Sequence, residues 1–271
     1  MDPRECGTVP GVRALLPEAR SAVAELAALA LPSTCAACGE GDEAVCRGCR
    51  AALAAGPWPE PRPASPDPRP PGLPHTVASA AYEGPLARLL PAYKDDGRRD
   101  LRAVLAPLLA TAVDSALGQP VLARSLSQGN GPVLVVPVPT SRRARRTRGD
   151  APLLDLARAA LAGLGQSEAV CADALRMRRR VADQAGLSAR ERRVNLEHAM
   201  EVRPAWSEAV PGALCVLVDD VLTTGATLVE ARRALIRAGA AEVVAATICA
   251  TRRRFPTPSN TTMRQDLRPL S

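Results

Sequence analysis

The sequence predicts an α/β protein: a mainly parallel sheet with helices on both faces, preceded by a small four-cysteine knuckle. Three observations carry this expectation. Short apolar, β-branched runs alternate with amphipathic helical stretches from Thr76 to Cys249, the pattern of a sheet buried on both faces. One such run, Leu214 to Val218, leads into Asp219-Asp220 and the small-residue stretch Thr223-Thr224-Gly225-Ala226-Thr227. Ahead of these elements, Cys35-Ala-Ala-Cys38 and Cys46-Arg-Gly-Cys49 form two C-x₂-C pairs.

Composition narrows the class. The 271 residues allow one large or two small domains, and a net charge of +7 favours anionic partners such as a phosphorylated metabolite or a nucleic acid. Met1-Asp-Pro-Arg-Glu has no basic n-region. The apolar stretch from Val12 to Leu31 is broken by Arg13, Glu18, Arg20 and Glu25, so it reads as an amphipathic helix, not a membrane span. A cytoplasmic location is expected, with the eight cysteines as thiols and not disulfides.

In chain order, residues 1–55 read as an N-terminal helix and a four-cysteine module. Four thiolates on two tight turns suit tetrahedral Zn²⁺, with Cys35, Cys38, Cys46 and Cys49 as ligands; the alternative is a degenerate ribbon with reduced thiols. Residues 56–74 (GPWPEPRPASPDPRPPGLP) read as a semi-rigid, polyproline-like linker. Residues 75–251 carry the α/β pattern. Strands are expected at Thr76–Tyr82, Val133–Val138, Ala169–Leu175, Leu214–Val218 and Glu242–Cys249. Helices are expected from Pro85, over Leu101–Leu117 and Ala151–Leu164, from a capping box at Ser188-Ala-Arg-Glu191 to about Met200, and over Leu228–Ala238. Lys94-Asp-Asp-Gly97 reads as a turn, and residues 252–271 as a disordered tail.

Two basic stretches flank predicted strands. Pro139-Thr-Ser141-Arg142-Arg143-Ala-Arg145-Arg146-Thr-Arg148 is either a solvated loop or an anion site. Its place after a parallel strand favours the anion site. The stretch from Arg176 to Arg190, which includes Gln184, is polar and contains glycine, as a mobile lid would. His75 and His198 have no Ser or Cys partner by spacing.

A strand, a small-residue loop and a helix aim backbone N–H groups and the helix dipole at one point, which suits a phosphate. Adjacent carboxylates accept hydrogen bonds from sugar hydroxyls or hold hydrated Mg²⁺. The stretch Asp219–Thr227 therefore reads as a sugar-phosphate clamp. A P-loop ATPase is excluded because the chain contains no Gly-Lys.

These residues resemble the phosphoribosyl pyrophosphate (PRPP) signature of type I phosphoribosyltransferases. More narrowly, Cys35 to about Ala250 resembles the competence protein ComF family. Five ordered motifs carry the likeness: the four cysteines; Tyr82-Glu-Gly84 with Lys94; Pro137 to Arg143 leading to Arg148-Gly149; Gln184 to Asn195; and Asp219 to Thr227. The resemblance implies a type I phosphoribosyltransferase-like sheet binding PRPP with Mg²⁺, and glycosyltransferase chemistry if the protein is active. It makes Asp219 and Asp220 the catalytic acidic pair and Thr223, Thr224, Gly225, Ala226 and Thr227 the 5′-phosphate loop. Pro139, Ser141, Arg142, Arg143 and Arg148 become the pyrophosphate turn. Lys94, Arg176, Gln184, Arg190 and Arg193 become cations and donors of a flexible loop. It equally implies a role in handling single-stranded DNA, during natural transformation (competence, DNA uptake) or repair. DNA-uptake or recombination proteins are the expected macromolecular partners.

Overall fold

The computed structural model describes residues 34–120, 122, 124, 132–139, 151–165, 169–178 and 198–251. The helix expected over 12–31, the arginines of 142–148 with Ser141, the loop residues Gln184, Arg190 and Arg193, and the tail at 252–271 lie outside the described residues.

A six-stranded sheet has the order β1-β2-β8-β7-β3-β4. The strands are β1 (Pro57–Pro63), β2 (His75–Ala81), β3 (Val133–Pro137), β4 (Ala169–Cys171), β7 (Leu214–Leu222) and β8 (Glu242–Ala250). All pairings are parallel except β1–β2. Two further strands, β5 (Leu175–Met177) and β6 (Met200–Val202), form a separate antiparallel ribbon. The helices are α1 (Arg47–Ala55), α2 (Leu86–Lys94), α3 (Arg102–Leu117), α4 (Pro152–Leu164) and α5 (Ala226–Arg237).

Alternating side chains of each central strand enter opposite faces. Val135, Val216, Val218 and Ala246 join a core with α2, α3 and α4. Val136, Cys215, Leu217 and Ala245 join another with α5 and the β5–β6 ribbon. A sheet covered on both faces, as the apolar runs predict, is what forms. Among the described residues no helix is long and apolar enough to cross a membrane.

The proline-rich stretch departs from expectation. Residues 57–63 are not a linker but an edge strand, with Arg62 opposite Ala78 and the Ala64 N–H donating to the Thr76 carbonyl at 2.8 Å. Prolines are tolerated there because, among the described residues, β1 has no partner on its outer side. Nor does this stretch hold the cysteine module apart. Cys35, Val45 and Leu53 belong to the same core as α2 and α3. Arg88 of α2 donates to the Ala37 carbonyl at 2.6 Å, and Arg98 to the Thr34 carbonyl at 2.9 Å.

Three further corrections concern local structure. The run Ala169–Leu175 splits into two strands with different partners. Met200 begins strand β6 instead of ending a helix, and His198 sits just before it in the left-handed region (φ 53°). Strand β7 does not stop at the acidic pair but runs on to Leu222, because β8 continues to pair with it there.

Candidate functional site

The sheet reverses its order between β3 and β7. From β3 the chain moves outward to β4, then returns to β7 and moves the other way to β8. The carboxyl ends of the two strands on either side of such a switch point form a natural ligand crevice. Here they are Pro137, paired with Val218, and the acidic pair that follows Val218. The Val138 N–H donates to the Val218 carbonyl at 2.9 Å, so Pro139 leaves the sheet beside Asp219. The buried Tyr93 hydroxyl donates to the Pro152 carbonyl at 2.9 Å and fixes the start of α4.

Asp219 and Asp220 are half-buried on adjacent positions of β7. Asp219 Oδ1 accepts the Asp220 N–H, and Asp220 Oδ1 accepts the Val221 N–H, each at 2.9 Å. Lys94 Nζ lies 2.7 Å from Asp220 Oδ2. The lysine ends helix α2 and is not part of a turn or loop. The pair is electrostatically unequal. Burial and the neighbouring Asp220 charge raise Asp219 well above the ordinary carboxylate range. Burial pushes Asp220 the same way, but the Lys94 ammonium and its hydrogen bond hold it below that range. Asp219 is thus harder to ionise than an ordinary carboxyl, and Asp220 easier.

Thr223 to Gly225 follow, and Ala226 opens α5. Gly225 caps the helix with φ 73°, a conformation that glycine adopts without steric cost. The first-turn N–H groups of a helix have no partners within it, and here the Ala226 N–H donates to the Thr224 hydroxyl at 3.4 Å. Gly225 is also crowded from outside. A Cβ at this position would lie 2.7 Å from Leu73 Cδ1 and 3.4 Å from Pro70 Cγ. The proline-rich stretch therefore packs against the loop itself.

Of the residues assigned to a flexible loop, Arg176 lies in β5 and pairs with Glu201 at 2.8 Å. Two contributors to the site have no sequence signal in their own stretch. Leu73 lies in a segment that reads as linker, and Tyr93 in an ordinary apolar helix face.

The four cysteines form a second site. Their sulfurs all lie within 4.8 Å of one another, the one such metal-capable group among the described residues. Cys38 and Cys46 sulfurs are 3.7 Å apart, close to the roughly 3.8 Å edge of a tetrahedron with Zn–S bonds of about 2.3 Å. Burial opposes ionisation of Cys35, but donation by the backbone of Cys46, Cys38 and Ala37 lowers it to about 6. Cys49 is pushed up to about 12, chiefly by the Cys46 thiol beside it. A thiolate in the cluster thus penalises a second one, and a divalent cation removes that conflict. The donor set fits structural zinc. Cys215 and Cys249 are buried sheet residues, as their strands predict.

The phosphoribosyl transferase domain model matches residues 179–265. The DNA utilization protein YhgH of Escherichia coli O157:H7 is 30% identical over 195 residues, covering 68% of this chain and 75% of the relative. YhgH of Escherichia coli K12 matches at the same identity and coverage, and YhgH of Salmonella typhi is 32% identical over the same length. The chain belongs to the ComF family. Its ComF features are thus a phosphoribosyltransferase-type domain on a mostly parallel sheet, with a cysteine cluster docked on the helical face.

Proposed function

We propose that this ComF protein binds PRPP, or a related ribose phosphate, together with Mg²⁺ in the crevice between β3 and β7. The observation that carries the reading is the unequal acidic pair at the end of β7, set against a loop that opens α5 through a left-handed glycine. Asp219 and Asp220 hold the ribose hydroxyls. Their carboxylate oxygens accept from the two hydroxyls. The backbone of Thr223 to Thr227, with the Thr223, Thr224 and Thr227 hydroxyls, surrounds the 5′-phosphate. Pro139, Ser141, Arg142, Arg143 and Arg148 take the pyrophosphate end. Lys94 keeps Asp220 ionised until the sugar arrives. Asp219 and Asp220 would hold hydrated Mg²⁺ beside the ligand, where the ion would supply neutralisation of the pyrophosphate charge. If turnover occurs, catalysis rests on positioning and on stabilising charge at the sugar, with no nucleophilic side chain. Gln184, Arg190 and Arg193 serve as the lid that excludes water.

PRPP with Mg²⁺ is expected to raise the melting temperature of the protein, and Asp219→Asn with Asp220→Asn to abolish the rise. A native protein that shows no rise sinks this reading. Pyrophosphate release with candidate bases then separates an enzyme from a binding protein.

A second reading is favoured by the name of the YhgH relatives, DNA utilization protein. In it the domain serves as a platform for single-stranded DNA, in DNA uptake or repair with recombination proteins. The net charge of +7 accords with a polyanion. Binding to a labelled single strand that weakens steeply with salt is the expected result.

A further inference from the structure

The far end of α5 carries a second basic recess. The β5–β6 ribbon crosses this helix and encloses a cavity of about 480 Å³, lined in part by Arg178, His198, Glu201, Arg233 and Arg237. Arg233 and Arg237 lie seven and eleven residues beyond Ala226, so roughly 10 and 16 Å along the helix from the loop that opens it. The recess therefore lies apart from the ribose crevice.

Its guanidinium groups are built in. Glu230, only 4% exposed, accepts the Met200 N–H at 2.8 Å and takes Arg233 Nε and Nη2 at 2.7 and 2.9 Å. Arg233 Nη2 also donates to the Met200 carbonyl at 2.9 Å. This fixes the Arg233 plane while leaving Nη1 without a partner among the described residues. Arg237 stands one turn further on the same face, with no ion-pair partner among the described residues. Across the cavity, Glu201 is taken mainly by Arg176 at 2.8 Å, and Arg178 reaches it only at 3.8 Å. Among the described residues, Arg178, Arg233 and Arg237 line the hollow with Glu201 as their one lining carboxylate, a local excess of positive charge. Met200, Val202, Ala234 and Ala238 supply an apolar wall.

A guanidinium held in plane with one nitrogen to spare, beside two more on the same lining, recognises a phosphate group. A hollow of this size admits one small ligand moiety. A single strand can present one nucleotide to it, whereas the phosphates of a rigid duplex sit on a broad convex surface. We propose that this recess is a phosphate subsite for single-stranded DNA, separate from the ribose crevice. The proposal rests on the DNA reading above and assigns it a place.

The test uses the full chain and fluorescence anisotropy with a labelled oligothymidylate across a salt series. Arg178→Ala and Arg237→Ala are each expected to weaken binding several-fold, and Arg178→Glu with Arg237→Glu more than ten-fold. The slope of log affinity on log salt should fall by about one for each phosphate the variant no longer neutralises. Arg237→Lys should keep most of the slope. The thermal shift with PRPP and Mg²⁺ should stay at its native size in every variant, which also reports that they fold. Native affinity and slope in the doubly reversed variant overturn the subsite, while the DNA reading survives. A native protein that binds no single strand at low salt overturns both. Thymidine monophosphate and inorganic phosphate serve as competitors. If either displaces the oligonucleotide at equal phosphate concentration, the recess is a free-phosphate site and the strand assignment falls.

Discussion

Strand β7 with its loop and helix, and the proline-rich stretch 56–74, meet at one point but are specified in opposite ways. Leu214 to Val218 is apolar and β-branched, the loop is built of small residues, and α5 has a helical apolar stripe. Each piece is dictated by its own residues. The proline-rich stretch has no such local programme. Pro57, Pro59, Pro61 and Pro63 remove four donors from β1, and it becomes a strand only because β2 offers an unpaired edge. Its later part then packs Leu73 and Pro70 on Gly225. A segment that lacks intrinsic structure has become a wall of the most strongly specified loop in the chain.

The largest effect is therefore expected where the two regions touch. Gly225→Val adds side-chain bulk toward a Leu73 methyl 2.7 Å from the Cβ position and forces a β-branched residue to φ 73°. A loss of about 3 kcal/mol is expected, from overpacking and backbone strain together. It should be measured by denaturant unfolding alongside loss of the PRPP-dependent thermal shift. Leu73→Ala in the same chain should recover the overpacking part but not the strain. The double-mutant cycle then shows a coupling of about 1 kcal/mol or more. Strict additivity would mean that the two regions do not bear on each other.

Next in size is the metal. The cysteine module shares its core with α2 and α3 through Cys35, Val45 and Leu53, so stripping zinc should loosen the helical face as well as the knuckle. A chelator is expected to lower stability by about 2 kcal/mol, read as a fall of roughly 4–8 °C in melting temperature. Metal analysis should give one zinc per chain. A protein purified with zinc whose melting is indifferent to chelation would show that the knuckle is only tethered.

The same contrast explains what the sequence made legible. Parallel strands buried on both faces announce themselves by composition, and the acidic pair, the small-residue loop and the paired cysteines are local motifs. The unread features all depend on distant partners. Strand β7 extends past Val218 because Asp219 pairs with Thr247 and Leu222 with Ala250. Strand β6 exists because Arg176 lies opposite Glu201 and the Glu230 side chain holds the Met200 N–H. Lys94, singled out by resemblance as a loop cation, reaches Asp220 across 126 residues from the end of a helix. Nothing within three-residue strands or around a lone lysine encodes those meetings.

The acidic pair allows a finer test of strand against neighbour. Asp219→Asn should relieve repulsion and leave stability unchanged or slightly higher, whereas Asp220→Asn strands Lys94. The loss in the second case should be about 1 kcal/mol, since Lys94 is 47% exposed and solvent screens the pair. The pH dependence follows from the same signs. Asp220 is depressed in the folded state, so its contribution is present above the ordinary carboxylate range and fades as pH falls through its lower folded value. Asp219 is raised, so its contribution opposes folding as pH rises above the ordinary range. Asp220→Asn should flatten the acid limb of the stability curve, and Asp219→Asn the limb above it. Equal curves for the two variants would mean that the carboxylates are equivalent.

The smallest effect concerns how β1 is fastened. The Arg62 guanidinium lies 4.6 Å from the centre of the Trp58 ring, and Trp58 packs on the core shared by α5 and the ribbon. An exposed cation–π pair contributes about 0.5–1 kcal/mol, whereas the indole carries the apolar area. Trp58→Ala should therefore cost more than Arg62→Ala, by roughly a factor of two or more in free energy. If backbone pairing to β2 alone fastens the strand, both substitutions will leave unfolding unchanged. If the indole is the anchor, only Trp58→Ala will also weaken the PRPP-dependent shift, because releasing β1 frees the Pro70–Leu73 wall from Gly225. Arg62→Ala should leave that shift intact, which makes the ratio of the two variants a direct reading of how far the edge strand supports the loop.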